Sequence, residues 1–489
     1  MTQALSIDRE RTSLRAARIA PALRACLLAA VASACGGADS DATGAGDTTV
    51  RVELPTPYTT RPDILIVTID TLRADHLGCY GYFRDTSPTI DALAAESILF
   101  ERCIAPMATT LPVHASLFTG VWPIEHGVLA NLREGRERHK LASGLSRAAE
   151  LFQGARYQTA AFISALPLKR LCGLVQGFSV YEVPGTISCP AEPTTDSALA
   201  WIDTMTEKPF FLWVHYFDPH SPYEAPEPYA SMYQDSPELE AYIQAREFAE
   251  TAVRPNGKEG VLRPGINSYD AEIRYADSQL ERLIQRLREL GRWDDTIVLL
   301  LADHGEGLNQ HDAPGHGLNW DEQVHVPCLL KLPGVEPVRF PSLISVVDLF
   351  PTLLRRLELR PIERFLSQAS GVDVLAADFE PRAVMSQSSE RQQRFGNELT
   401  YSLTTGRWKS IITASGHERL YDLLNDPHEL SDMTGQRPDI LSRMRRQTMS
   451  LVESQQERGA AFGAGKTIPI DPEDAAGLRT LGYGGASDD

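Results

Sequence analysis

The 489-residue sequence is short of several things, and each shortage excludes something. It has no Cys-x-x-Cys pair and no Cys/His cluster, so the common structural zinc modules are excluded. It has no internal repeat and no long low-complexity tract, which excludes solenoids, propellers and an extensively disordered chain. Its N-terminal apolar run, Ala25 to Ala34 (ACLLAAVASA), is too short to cross a bilayer as a helix. It also lacks positive charge: 47 Lys and Arg stand against 65 Asp and Glu, a formal charge of −18. That balance argues against nucleic acid or an anionic membrane surface as the main partner. An acidic chain that handles an anion needs a local cation or a metal in its site. Outside the N-terminal segment the cysteines are Cys79, Cys103, Cys172, Cys189 and Cys328. Their odd number leaves at least one free thiol, and Cys172 and Cys189, flanking a short polar excursion, are candidates for a bridge.

What is present begins with a leader. Arg9, Arg11, Arg15 and Arg18 precede the apolar run, which ends at Cys35 followed by two glycines. A charged region, a short apolar core and a small-residue cleavage site read as an export signal. The ASAC sequence ending at Cys35 resembles a bacterial lipobox, although Ala32 stands where Leu is more usual. Residues 1–35 are therefore expected to be a signal that lipidates Cys35 and leaves the protein periplasmic or on the cell surface. Simple secretion and an unstructured cytosolic leader are the alternatives. Residues 36–60, rich in Gly, Asp, Ser and Thr, suit a flexible tether.

From Arg61 onward, apolar runs alternate with helical periodicity, the pattern of a mostly parallel sheet covered by helices. Asp63–Ile69 (DILIVTI), Thr159–Ala165, Phe210–His215 (FFLWVH) and Thr296–Leu301 (TIVLLL) read as buried strands. Between Tyr269 and Leu290 the apolar positions recur at helical spacing, and Gly291 is placed to stop the helix. Glu224 to Gly265 is polar and Pro-rich and reads as an excursion over the site face. SVVDLFPTLLRRL closes this α/β region near Leu359. The segments AVMSQS, YSLTTG, WKSIITA and RLYDLL predict short strands of a smaller α+β unit. The expected organisation is a catalytic domain over 61–360 and a C-terminal subdomain and tail over 380–489.

The strand ends carry the chemistry. Asp70 follows the first strand, and Asp303 with His304 follows TIVLLL, where ligand sites of such sheets lie. Two carboxylates and an imidazole make a divalent-metal set, with Mn or Zn favoured over Ca or Mg by the nitrogen ligand. Either stretch alone would pass as a capped or polar loop; the two together are harder to explain so. In TTLPVHASLFTG, Thr110 opens an expected helix start two residues before Pro112, and His114 lies one turn along the same face. There Thr110 could serve as the N-cap, as a nucleophile, or as both. His126, His220 and His316 each follow a core element beside Gly or Pro. Singly such histidines are usually structural; together they suggest a cationic or proton-donating pocket.

These landmarks, in this order, resemble the sulfatase branch of the alkaline phosphatase superfamily. The stretches that carry the resemblance are DILIVTIDTLRADHLGCYGY, TTLPVHASLFTG, PFFLWVHYFDPHSPY, YDAEIRYADSQLERL, ADHGEG and VDLFPTLL, with LYDLLNDPHELSDM and LRTLGYG toward the end. The resemblance implies a sulfatase-like α/β fold and a metal held by Asp70, Asp303 and His304. It puts the nucleophile at Thr110, where its oxygen would also face the metal, and aligns His114 with the basic residue of the family signature. It places His220 beside the leaving group, His316 at the late anion-contacting position, and His126 among the site-lining histidines.

Three departures set this chain apart. Thr71 stands where the family has a second metal-binding Asp, and His114 where it has Arg. Thr110 replaces the Cys or Ser that becomes formylglycine, and Cys103, seven residues upstream, lies outside the motif. Hydrated formylglycine has two hydroxyls and expels sulfate by collapsing to the aldehyde; threonine has one and cannot. A phosphoryl-threonine, by contrast, can be attacked at phosphorus. The expectation is a metal-dependent hydrolase of phosphate esters (phosphodiesters or phosphonate monoesters) or a phospho-group transferase. A sulfuric ester hydrolase working without formylglycine and a non-catalytic lipoprotein binding anionic glycans are the alternatives. A second metal, with ligands from Asp218, His220 and His316, is left open.

Overall fold

A computed structural model of the chain describes residues 50–476 apart from 55–57, 59, 132–136, 170–172, 184–188, 254–258, 389–398, 414, 465, 470, 472 and 474–475. The expected leader, Cys35, most of the tether and Cys172 lie outside the described residues. Cys189, the described half of the candidate Cys172–Cys189 bridge, is a free thiol, as are Cys79, Cys103 and Cys328. Among the described residues no helix is long and apolar enough to cross a membrane.

Eight strands form the main sheet: β1 (Asp63–Ile69), β2 (Ile98–Ile104), β3 (Gln158–Ile163), β4 (Val180–Glu182), β5 (Phe210–Tyr216), β6 (Thr296–Ala302), β7 (His325–Lys331) and β8 (Val338–Ser345). Their spatial order is β8-β2-β7-β6-β1-β5-β3-β4. All neighbours are parallel except β7, which runs antiparallel to both β6 and β2. β1 and β6 are buried on both faces along their whole length, which is why they read as unbroken apolar runs. Ile64, Leu65, Ile66 and Val67 are fully inaccessible, and truncating one such side chain to Ala costs about 2–5 kcal/mol.

Helices cover the sheet: α1 (Thr110–Thr119), α2 (Ala191–Ile202) and α3 (Leu262–Glu289). In α3, Ile266, Ile273, Leu280, Leu283 and Leu287 form one buried stripe, and Gly291 follows in the left-handed conformation. The expected start at Tyr269 is seven residues late. Pro264 and Gly265 look like loop residues, but they occupy the first turn of the helix, where a missing N–H costs nothing. The polar excursion before it is not irregular throughout, since Pro237–Arg246 is helical with Ser236 capping it through Leu239 N–H.

The four C-terminal strands expected from sequence are present. β9 (Val384–Gln387), β10 (Thr400–Thr404), β11 (Trp408–Thr413) and β12 (Glu418–Asp422) form an antiparallel meander. One set of side chains, Met385, Leu403, Trp408 and Leu420, packs on Ile440, Leu441 and Met444 of α4 (Pro438–Phe462). Ile411 and Tyr421 instead pack on Leu318 and Trp320, in the loop that follows Asp303. The small sheet thus holds a loop that feeds the site.

Candidate active site

β1 and β6 end in register, Ile69 opposite Ala302. Their next residues, Asp70 and Asp303, are therefore neighbours at the carboxyl edge of the sheet, as ligand sites of such sheets require. The loop after Asp303 passes so close to Glu322 that a Cβ on Gly305 would meet its carbonyl oxygen at 2.0 Å. Only glycine lets ADHGEG make this approach.

The buried polar atoms at this edge are almost all acceptors. Asp303 Oδ1 receives the N–H groups of Thr71 (3.3 Å) and His304 (2.8 Å), which leaves Oδ2 without a partner. His304 donates Nδ1–H to Gly305 O at 3.0 Å, so its Nε2 carries a lone pair. That Nε2 lies 3.7 Å from Asp70 Oδ1 and 3.7 Å from Asp303 Oδ2, and all three atoms are buried without hydrogen-bond partners. Burial raises the pKa of Asp70 well above the carboxylate range; burial and the adjacent Asp70 do the same for Asp303. Burial pushes His304 down to about 3, so it is neutral. Two carboxylates and a neutral imidazole converging without donors fit a divalent cation. Asp70, Asp303 and His304 are the residues that would hold it.

Thr110 lies beside this cluster. Thr109, not Thr110, occupies the N-cap position, with extended backbone, and Thr110 is the first helical residue. The hydroxyl of Thr110 faces Asp70 Oδ2 at 3.4 Å. Pro112 removes an N–H that the first turn does not need, and Gly120, in the left-handed conformation, ends the helix. Thr71 is held at φ +53°, a strained conformation for a β-branched residue. Tyr269 hydroxyl secures it by donating to Thr71 O at 2.6 Å while accepting Arg73 N–H at 2.9 Å.

The histidines divide. His114 donates Nδ1–H to Thr110 O at 2.8 Å and its Nε2 meets Thr68 Oγ1 at 3.1 Å. Burial, reinforced by His215, holds its pKa well below the ordinary value. These contacts suit a residue that orients Thr110 rather than the basic residue with which the resemblance aligned it. His220 and His316 come together, their Nε2 atoms 3.2 Å apart. Each Nδ1–H is spent on a backbone carbonyl, of Ser221 and Ala108 respectively. Burial pushes His316 down to about 3, yet two Nε2 lone pairs at this distance need one proton between them to attract. Asp218, considered for a second metal, accepts Ala191 N–H at 2.9 Å, and burial pushes its pKa up to about 7. His126 does not join the group. Its Nε2 lies 3.0 Å from Ser116 Oγ and 3.2 Å from Pro112 O, and its Nδ1 accepts Val128 N–H, so it fastens the start of α1 to the following loop.

Two residues escaped the sequence reading. Asn131 is buried; its Oδ1 accepts Leu111 N–H at 2.8 Å and its Nδ2 donates to Thr110 Oγ1 at 3.4 Å. A lone Asn so far along the chain carries no local signal, although a first-turn amide such as Leu111 N–H always needs an acceptor. His215, the penultimate residue of β5, was read only as part of a strand. Its Nε2 lies 3.5 Å from Asp70 Oδ2.

Comparisons with known proteins bear on the family and the fold. The family profile described as Sulfatase matches residues 62–359. The chain is 25% identical over 429 residues to an uncharacterised sulfatase, YidJ, of Escherichia coli K12, covering 76% of this chain and 83% of the relative. Among solved structures, the phosphonate monoester hydrolase of Agrobacterium radiobacter superposes with a TM-score of 0.67 at 22% identity, over 81% of this chain and 96% of that one. The putative sulfatase yidJ of Bacteroides fragilis gives 0.69 at 20% identity, over 85% and 99%. The profile spans more than half of the chain, and the sheet order, strand-end carboxylates and helix-borne Thr110 belong to one continuous site: the chain is a member of the sulfatase family.

Proposed function

We propose that this sulfatase-family hydrolase cleaves phosphate esters, phosphodiesters or phosphonate monoesters above all, with Thr110 as nucleophile. The observation that carries the proposal is Thr110 itself, a single hydroxyl set against Asp70 at 3.4 Å and approached by the Asn131 amide at the same distance. A residue with one hydroxyl cannot expel sulfate by collapse to an aldehyde, but its phosphoryl ester is open to attack at phosphorus. The likeness to a phosphonate monoester hydrolase is consistent with this choice.

Asp70, Asp303 and His304 would hold a divalent ion, which when bound polarises the phosphoryl oxygens and acidifies the threonine hydroxyl. The chain's own residues do the rest. Asp70 Oδ2 accepts the proton of Thr110 while Oγ1 forms the bond to phosphorus. Asn131 keeps a neutral donor beside that oxygen, and its own carbonyl is held by Leu111 N–H. His114 fixes the Thr110 backbone from one turn away. The His220–His316 pair supplies a proton to the leaving oxygen as its bond to phosphorus breaks. Water, or an acceptor alcohol in a transferase, then attacks phosphorus and gives its proton to the His220–His316 pair, while the bond from phosphorus to Thr110 Oγ1 breaks and Asp70 returns the proton to that oxygen. The substrate is an anionic ester of a small molecule, lipid or glycan. The leader reading adds export and tethering through Cys35.

Purified protein assayed on a phosphonate monoester, a phosphodiester, a phosphomonoester and an aryl sulfate tests this. The expected result is phosphorus-ester turnover that Thr110→Ala abolishes. Aryl sulfate turnover surviving that substitution would instead support a sulfatase of another mechanism, and no turnover of any ester would support an anion-binding protein.

A further inference from the structure

The hydrogen bonds around Thr68 constrain the protonation of His215. Thr68 Oγ1 meets three nitrogens: Trp213 Nε1 at 2.9 Å, His215 Nδ1 at 2.8 Å and His114 Nε2 at 3.1 Å. A hydroxyl offers one proton and two lone pairs. Trp213 can only donate, so it takes one lone pair. His114 has its proton on Nδ1, against Thr110 O, so a neutral His114 accepts the Thr68 proton at Nε2. The remaining lone pair of Thr68 is then met by His215 Nδ1–H. Every group in the set is satisfied, and the assignment leaves His215 Nε2 as a bare lone pair.

That lone pair is buried and has no hydrogen-bond partner. It lies 3.5 Å from Asp70 Oδ2, itself the acceptor of the Thr110 hydroxyl. Strand register explains the approach: Thr68 lies opposite His215 across the β1–β5 pair, which places the ring near the end of β1 just where Asp70 emerges. Two acceptors facing each other in a dry site repel unless a cation stands with them.

We propose that His215 is a further ligand of the divalent cation held by Asp70, so that this chain offers two carboxylates and two imidazoles where Thr71 has cost it an oxygen ligand. This rests on the metal reading of the site given above. Exchanging an oxygen for a nitrogen shifts the preferred ion away from Ca and Mg toward Mn, Zn and other first-row divalent metals.

The test uses the full chain stripped of metal and reloaded. Pulsed EPR of the Mn-loaded wild-type protein is expected to show two directly bound imidazole nitrogens. His215→Asn keeps an amide donor for Thr68 but deletes Nε2. It is expected to show one nitrogen and to bind Mn and Zn about 100-fold more weakly in chelator competition. The melting temperature of metal-free His215→Asn, compared with metal-free wild type, establishes that the variant is folded. One nitrogen in the wild type, with unchanged affinity in the variant, would overturn the assignment and make His215 an imidazolium partner of Asp70. A wild type that binds no divalent ion would overturn the metal reading as well. The nucleophile reading stands or falls separately, on whether Thr110→Ala retains turnover.

Discussion

Two buried charge clusters lie in the loops around Asp303, and they differ in how their charges are met. At the first, Asp70, Asp303 and His304 point lone pairs at one another with no donor between them. At the second, where the loop after His304 meets the C-terminal sheet, Lys409 is fully buried and lies 2.6 Å from Asp321 and 2.8 Å from Glu429. Glu429 also accepts Asp321 N–H at 2.7 Å, while His311 stacks on Trp320 and lies 3.3 Å from Glu322. Burial opposes the charge on Lys409, yet Asp321 and Glu429 hold its pKa above the ordinary lysine value. Burial pushes Glu429 up to about 7, so Asp321, held low by Lys409 against its own burial, is the ionised partner. A buried cluster that contains its own counter-charge fastens structure. One that lacks it has the donor set to accept a cation.

Exchanging the two kinds of loss is the sharpest test of this contrast. Thr110→Ala is expected to lower turnover by about 10⁴–10⁶-fold while moving stability by no more than about 1 kcal/mol. A loss of folding instead would make Thr110 structural. Lys409→Met should do the reverse. It leaves Asp321 and Glu429 buried without a counter-ion and is expected to cost about 3–5 kcal/mol in denaturant unfolding. Adding Glu429→Gln should recover part of that loss, and no recovery would mean that the pair is not coupled.

Smaller effects probe the edges of the open cluster. Asn131→Ala is expected to reduce kcat by about 10²–10³-fold, the range for removing one donor beside a developing anion, with little change in KM. An equal rise in KM would mean that Asn131 binds the ground state. Asp303→Asn removes one of two unpaired buried carboxylates and is expected to stabilise the protein in chelator by ~1–2 kcal/mol. The same change should abolish turnover. Destabilisation in chelator would show that Asp303 Oδ2, and not only Oδ1, is met by a partner within the protein. The smallest effect is expected at His311. Burial opposes its charge, but Glu322 outweighs burial and raises its pKa. A raised folded pKa contributes stability that is complete below pH 6.5 and is lost as the pH rises through the folded value. The wild type should therefore lose stability between pH 6 and 8 relative to His311→Gln, and identical pH profiles would remove His311 from the cluster.

Much of this was legible in the amino-acid sequence, because strands and strand-end residues leave local signals. DILIVTI and TIVLLL could be read as doubly buried strands, and Asp70, Asp303 and His304 as their terminal residues. The four short C-terminal strands were legible in the same way. What escaped was non-local. Asn131 reaches Thr110 only because the loop after His126 folds back over α1. His126 looked like a site residue until both of its ring nitrogens proved to be bonded to the start of α1 and its own loop. The N-cap fell on Thr109 because the helix begins one residue earlier than Thr110 capping would require, and sequence cannot separate neighbouring threonines at that resolution.

By itself, then, the sequence determined which elements form and which chemical groups stand at their ends, since apolar periodicity and motif spacing are properties of neighbouring residues. Tertiary structure alone decided which lone pairs are answered and which are left bare. Parallel register sets His215 beside Thr68 and brings Asp70 next to Asp303, and Tyr269 braces Thr71 in its left-handed turn from a distant helix. Charge compensation in a buried site depends on atoms that meet through space, and the order of residues along a chain does not contain it.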